Sequence, residues 1–284
     1  YPPEVEDFSE HRWSPQGTHI LLESPSDQSP QGIWVLNVET RRMWQISDQP
    51  VAAAEWADES QVLYTPRGEG GPLPSRLVSV GPPSQLYTGT IELSGPSVLS
   101  PDRRHVAALD DQDAGDQRLR VLSLPGHGPL TLSSQPTGTV AVSAPRWSPD
   151  GRWIAYAVEA TESSQDRNTR TVVVDTEAVG ETQVIDALIP QSWSPDGRLL
   201  AGPSCPDAGC GPAVATISSD PPGALTGTVM SLVDQGAQAR LWDLAWSPGG
   251  VYLAYSLTGS NVDSEGVIIW ERTTGEHRLL ISGD

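Results

Sequence analysis

The sequence contains no lysine, so all 17 of its basic residues are arginine, set against 36 acids and a formal net charge of −19. That balance excludes a phosphate-neutralising surface, and with it nucleic-acid binding. The missing lysine is read as a bias of genome composition and not as a functional signal. Phenylalanine is nearly absent too: Phe8 stands alone beside 10 tryptophans, so indoles must fill the gaps between layers. No apolar run approaches the roughly 20 residues that a membrane-crossing helix needs, and no basic amphipathic stretch suits a bilayer surface. The expectation is a soluble acidic chain that does not itself insert into membranes.

Cysteine is scarce, with Cys205 and Cys210 its only two copies, in Ser-Cys-Pro-Asp-Ala-Gly-Cys-Gly. The loop between them, bent by Pro206 and Gly209, can bring the sulfurs together; closing so small a ring contributes roughly 2 kcal/mol in the chain-entropy view. A redox pair would have a two-residue gap, and a structural zinc would need two further ligands that no nearby His or Cys supplies. A disulfide implies an oxidising compartment. With Tyr1 at the start of the numbering, the expectation is an extracytoplasmic protein: periplasmic, secreted or a membrane-anchored ectodomain.

The 27 glycines and 26 prolines are far more than a helical protein tolerates, yet 37% of the residues are apolar. Many short strands joined by turns reconcile the two. A repeat confirms this reading. Arg146-Trp-Ser-Pro-Asp-Gly-Arg152, Ser192-Trp-Ser-Pro-Asp-Gly-Arg198, Ala245-Trp-Ser-Pro-Gly-Gly-Val251 and Arg12-Trp-Ser-Pro-Gln-Gly-Thr18 are near-copies, and Glu55-Trp-Ala-Asp-Glu-Ser60 and Val98-Leu-Ser-Pro-Asp-Arg-Arg104 are degenerate ones. The anchors Trp13, Trp56, Leu99, Trp147, Trp193 and Trp246 are spaced 43, 43, 48, 46 and 53 residues apart. Seven residues after each comes an apolar side chain: Ile20, Leu63, Val106, Ile154, Leu200 and Leu253. The next column is Leu21, Tyr64, Ala107, Ala155, Ala201 and Ala254, small where strands crowd together.

In each motif Trp ends an inner strand, Pro fixes φ in the turn, Asp bonds back to the backbone and Gly takes a left-handed conformation. A second strand follows, such as 153–158, then a third at 171–174 and a fourth at 183–185. The Trp-Ser-Pro-Asp-Gly hairpin at this spacing resembles the TolB-like propeller repeat, related in shape to WD repeats, over all six units; Ala57-Asp58-Glu59 and Leu99 depart from its pattern. The resemblance implies an all-β, six-bladed β-propeller over 1–284 with four antiparallel strands per blade. The blades fall near 9–49, 50–93, 94–140, 141–187, 188–235 and 236–284, with Pro2 to Phe8 expected to seal the ring.

No Gly-x-Ser-x-Gly elbow or phosphate-cradling loop is present, and His11, His19, His105, His127 and His277 lack metal-site spacing. Relatives of prolyl oligopeptidase carry such propellers beside a hydrolase domain, which these residues do not include. The informative pattern lies in the loops between second and third strands, expected at 23–31, 65–75, 110–117, 159–169, 202–212 and 258–265, on the face opposite the Trp-Ser-Pro-Asp-Gly turns. They hold thirteen of the 36 acids: Glu23, Asp27, Glu69, Asp110, Asp111, Asp113, Asp116, Glu159, Glu162, Asp166, Asp207, Asp263 and Glu265, against Arg67 and Arg167 alone.

The expectation is a non-catalytic interaction module that docks a basic protein partner on this acidic face. The TolB resemblance implies an envelope or membrane complex as the setting. The alternative is a recognition or substrate-gating propeller that takes a carbohydrate, peptide or metal in its central channel. No cofactor is expected, although Asp111, Asp113 and Asp116 carry enough oxygens to be a weak calcium candidate. Thiol titration of the unfolded, unreduced protein is expected to find no free thiol, and two after reduction; reactive thiols before reduction would remove the bridge.

Overall fold

The computed structural model describes residues 8, 10–24, 32–68, 71–72, 75–80, 88–90, 97–111, 117–124, 133–134, 139–160, 169–177, 182–204, 210–217, 229–232, 239–259 and 266–282. They form six antiparallel sheets and, among the described residues, no helix. The first sheet runs Glu10–Trp13, His19–Glu23, Ile33–Asn37, Met43–Ser47 in spatial order, each strand beside the next in sequence. The last repeats this meander with Ala239–Trp246, Tyr252–Gly259, Gly266–Glu271 and His277–Ser282. In the fourth sheet the innermost position is shared by two short strands, Thr139–Ala141 and Arg146–Trp147, both paired with Trp153–Ala160. The chain divides into two compact units, 1–99 with 108–111 and 100–107 with 112–284; the division passes inside a strand of the third sheet, His105–Asp111, and not at a linker. Of the segment expected to seal a ring, 2–7 lies outside the described residues.

Every anchor ends its strand, and in five of the six turns the following serine explains why the geometry recurs. In the fourth sheet Ser148 N–H donates to the Trp153 carbonyl (2.8 Å), while Ser148 Oγ accepts the Trp153 N–H (2.8 Å) and donates to Asp150 Oδ1. Asp150 Oδ1 then accepts the Arg152 N–H at 3.1 Å, and Gly151 closes the turn with φ 74°. Ser194 and Asp196 repeat the set in the fifth sheet, and Ser100 and Asp102 in the third. Buried hydroxyls thus receive an N–H that the strand ladder leaves without an acceptor. In the third turn Arg103 holds the glycine position at φ 58°, a left-handed conformation that a Cβ makes costly.

The second turn is one residue shorter, because both Ala57 and Asp58 N–H groups donate to Gln61 O. Trp56 therefore pairs with Val62, whereas Trp13, Trp147, Trp193 and Trp246 pair with residues seven further on. The apolar column drawn through Leu63 and Tyr64 is corrected to Val62 and Leu63. Two glycines have a role that the repeat did not reveal. Gly32 and Gly266, at φ 113° and 135°, sit against the carbonyls of Ser47 and Ile281 on the outer strands, where a Cβ would collide with backbone.

Because strand side chains alternate, the fifth sheet offers Leu200, Ala213 and Ala215 to the fourth and Leu199, Ala201 and Val214 to the sixth. Both faces are apolar, so these strands read as continuous hydrophobic runs. Trp153, Val173 and Leu188 meet the fifth sheet from one side, and Leu253, Tyr255 and Trp270 from the other. In the other unit Leu21, Ile33 and Val35 pack on Trp56, Val62 and Tyr64. The anchor indoles also bond across the seam: Trp56 Nε1 donates to Arg12 O (2.9 Å) and Trp193 Nε1 to Arg146 O (3.1 Å). Between the fifth and sixth sheets, Arg272 Nη1 reaches Asp196 Oδ2 at 2.8 Å.

Replacing Ser148 or Ser194 by Ala should lower unfolding stability by about 1–3 kcal/mol each, since a buried N–H loses its acceptor. Ser247, whose turn carries Gly249 in place of the aspartate, should cost less than about 1 kcal/mol; denaturant titrations compare the three. The Asp196 carboxyl, despite the opposing effect of desolvation, is held down at about 2 from 3.8 by hydrogen bonds from Ser194 and Arg272. A depressed carboxyl stabilises the folded state above its unfolded value and loses that contribution as pH falls. The stability difference between wild type and Asp196→Asn should therefore be full above pH 4 and shrink toward zero near pH 2, read by urea unfolding across that range.

Candidate functional site

The acids singled out in the sequence lie at or beyond the ends of second strands remote from the anchor turns. Four of them are strand residues and not loop residues, because the strands run further than expected. Glu23 ends His19–Glu23, Asp110 and Asp111 end His105–Asp111, and Glu159 is next to last in Trp153–Ala160. The other expected loops shorten likewise: Thr65 to Gly68 continue a strand, as do Gly202 to Ser204. Asp27, Asp113, Asp116, Glu162, Asp166, Asp263 and Glu265 lie outside the described residues, as does Cys205; Cys210 is disulfide-bonded.

Glu23 is placed directly opposite Glu10 in the first hairpin. Burial first, and then the Glu10 carboxylate, raise the Glu23 pKa from its ordinary value; Arg12 and Arg67 pull the other way. Arg12 forms an ion pair with Glu10. The sequence reading missed Glu10, although the signal was there: pairing Trp13 with Ile20 fixes the register that carries residue 10 to residue 23. Glu159 pairs with Val140 on one side and accepts a hydrogen bond from Thr169 Oγ1 at 3.2 Å. These contacts hold the Glu23 and Glu159 carboxylates at the ends of their strands.

Three of the described histidines, His19, His105 and His277, pack against aromatic rings. His19 lies 6.0 and 6.1 Å from the rings of Trp44 and Trp56, and His105 lies 6.5 Å from Trp147. Tyr255 Oη and His277 Nδ1 are 2.8 Å apart; burial lowers the His277 pKa and pushes the Tyr255 phenol up to about 12. Beside them is a shallow recess lined by Tyr252, Ile269, Glu271, Glu276 and Arg278. Among the described residues no group of three His, Cys, Asp or Glu side chains is arranged to hold a metal ion. The described backbone of the weak calcium candidate ends at Asp111, a strand residue.

No protein-family model and no curated protein matches the chain. Solved structures do. A post-proline cleaving enzyme from Rickettsia typhi superposes with TM-score 0.60 at 8% identity, over 97% of this chain and 44% of that one. The β-propeller domain of the trilobed protease from Pyrococcus furiosus gives 0.56 at 11% identity, over 97% and 83%. The Cps50 (Swd1) β-propeller domain from Myceliophteria thermophila gives 0.51 at 13% identity, over 98% and 87%. At such identities the likeness speaks to fold alone. The TolB-like, WD-like repeat read from the hairpin motif thus has its counterpart at the level of fold: the chain is a β-propeller.

Proposed function

We propose that the chain is a single six-bladed, non-catalytic interaction propeller outside the cytoplasm that docks a basic segment of a partner protein. The docking surface is the end of the sheets carrying Glu23, Asp27, Asp110, Asp111, Asp113, Asp116, Glu159, Glu162, Asp166, Asp263 and Glu265. The observation that supports this reading is charge segregation. Thirteen of the 36 acids fall in six stretches of sequence, each taking in the end of a second strand or the residues that follow it, that contain only two arginines. The described acids Glu23, Asp110, Asp111 and Glu159 all sit at the same end of the second strand in their own sheets. Summed like charge steers a cationic partner in and turns acidic competitors away.

The Cys205–Cys210 bridge would stiffen one of these segments for binding at little entropic cost. Burial and the Glu10 carboxylate oppose ionisation of Glu23, so it is a weaker anchor for a cation than an exposed carboxylate. A partner bound this way is released by salt, because exposed charges more than about 8 Å apart are screened at physiological ionic strength.

Asp110, Asp111, Asp113 and Asp116 replaced together by Asn should weaken retention of the partner about tenfold or more and flatten its salt dependence, summing several contacts of about 0.2–1 kcal/mol. Affinity capture at low and high salt, with wild type and variant side by side, reads both. Equal retention by the two proteins at low salt would overturn the docking face and direct attention to small ligands of the central channel.

A further inference from the structure

The first turn, Trp13-Ser14-Pro15-Gln16-Gly17-Thr18, lacks the aspartate that organises the third, fourth and fifth turns, carrying Gln16 in its place. The hydroxyl and N–H that such an aspartate would accept are nevertheless satisfied from the second sheet. Ser14 Oγ donates to Glu59 Oε1 at 2.7 Å and the Thr18 N–H, counterpart of Arg152, also donates to the Glu59 carboxylate, while the Gln16 N–H (2.6 Å, to Oε2) and Thr18 Oγ1 (to Oε1) add two further bonds. Ser14 Oγ still accepts the His19 N–H at 3.0 Å, as its counterparts do in the other turns.

Glu59 is free to reach across because the shorter second turn is organised by another carboxylate. Asp58 Oδ1 accepts both the Ser60 N–H (2.6 Å) and Ser60 Oγ (2.9 Å). Among the described residues the ionisable group paired with Glu59 is His19, whose Nδ1 stands 3.8 Å from Oε1. Desolvation opposes ionisation of Glu59, yet the hydrogen bonds from Thr18, Ser14 and Gln16 hold its carboxyl at about 2. Four donors on one ionised group make a stronger tie than a neutral contact, since charge-assisted bonds are about twice as strong.

We propose that Glu59 is a latch between the first and second sheets: the carboxylate that completes the first turn comes from its neighbour, so that the first sheet closes its turn only when docked. Releasing the latch opens the first turn as a local unit while the hydrogen-bonded turns of the fourth and fifth sheets, each with its own aspartate, stay closed.

Native-state hydrogen exchange tests this residue by residue. In Glu59→Gln the amides of Gly17 and His19, which close the first turn, should exchange about ten- to hundredfold faster. The amides of Trp153 and Leu199, in the same positions of self-sufficient turns, should keep their wild-type rates. In the double variant Gln16→Asp with Glu59→Gln, the first turn regains its own carboxylate and protection should return to within about threefold of wild type. Unchanged exchange in Glu59→Gln would overturn the latch. So would acceleration shared equally by Trp153 and Leu199, or a double variant no better protected than the single one. If Glu59→Gln does not fold, folding of the double variant supports the latch and its failure overturns it.

Discussion

A four-stranded sheet with two apolar faces cannot stand alone in water, and this constraint governs the whole chain. The fifth sheet presents Leu200, Ala213 and Ala215 on one side and Leu199, Ala201 and Val214 on the other. Each set needs a neighbour to cover it, and at about 25 cal/mol per Å² of apolar surface the penalty for leaving either bare exceeds what a small domain can spare. The repeat answers that need by supplying the same unit again. Alanine at 155, 201 and 213 lets neighbouring backbones approach, and the large indoles of Trp56, Trp153 and Trp193 fill the wider gaps.

The polar chemistry follows from that packing. Burying each hairpin leaves the N–H at the start of its second strand without a ladder partner, and the serine that follows every anchor but Trp56 receives it. Ser148 and Ser194 are fully buried, so their hydroxyls must be satisfied in turn, which the aspartate two residues on accomplishes. The motif is thus one hydrogen-bonded object in which Trp, Ser, Asp and Gly each answer a demand created by another. At two positions where a member changes, the structure compensates: Arg103 adopts the glycine conformation, and Glu59 stands in for the aspartate missing at 16.

Much of this was legible in the sequence. Six anchors at near-regular spacing fixed strand ends at Trp13, Trp147, Trp193 and Trp246, and the second, third and fourth strands of the fourth sheet fall where the apolar runs place them. The second sheet was misjudged by one residue because its turn length depends on which carbonyl two amides share at Gln61, a choice that composition does not encode. The bonds from Ser14 and Gln16 to Glu59 were invisible for a related reason: they join residues more than 40 positions apart. At the acidic ends the residue types were legible, but strand length was not. Glu23 and Glu159 are polar residues that continue a ladder, and polarity alone had marked them as loop. Glu10 escaped notice because it lies upstream of the motif and is joined to Glu23 only through register.

The seam contacts bear on how the chain reaches its fold. Trp56 bonds a carbonyl 44 residues back and Trp193 one 47 residues back, which is a single repeat in each case. Each of these two seams joins sheets that are neighbours in sequence, so its strands can meet before more distant ones do. Such a chain behaves as a nearest-neighbour array: any docked pair of sheets can serve as a nucleus, and growth from it adds one sheet at a time. The loop-closure entropy of each addition is set by one repeat length and changes little from step to step. The order of assembly is then decided by which seam is strongest and not by which end of the chain emerges first.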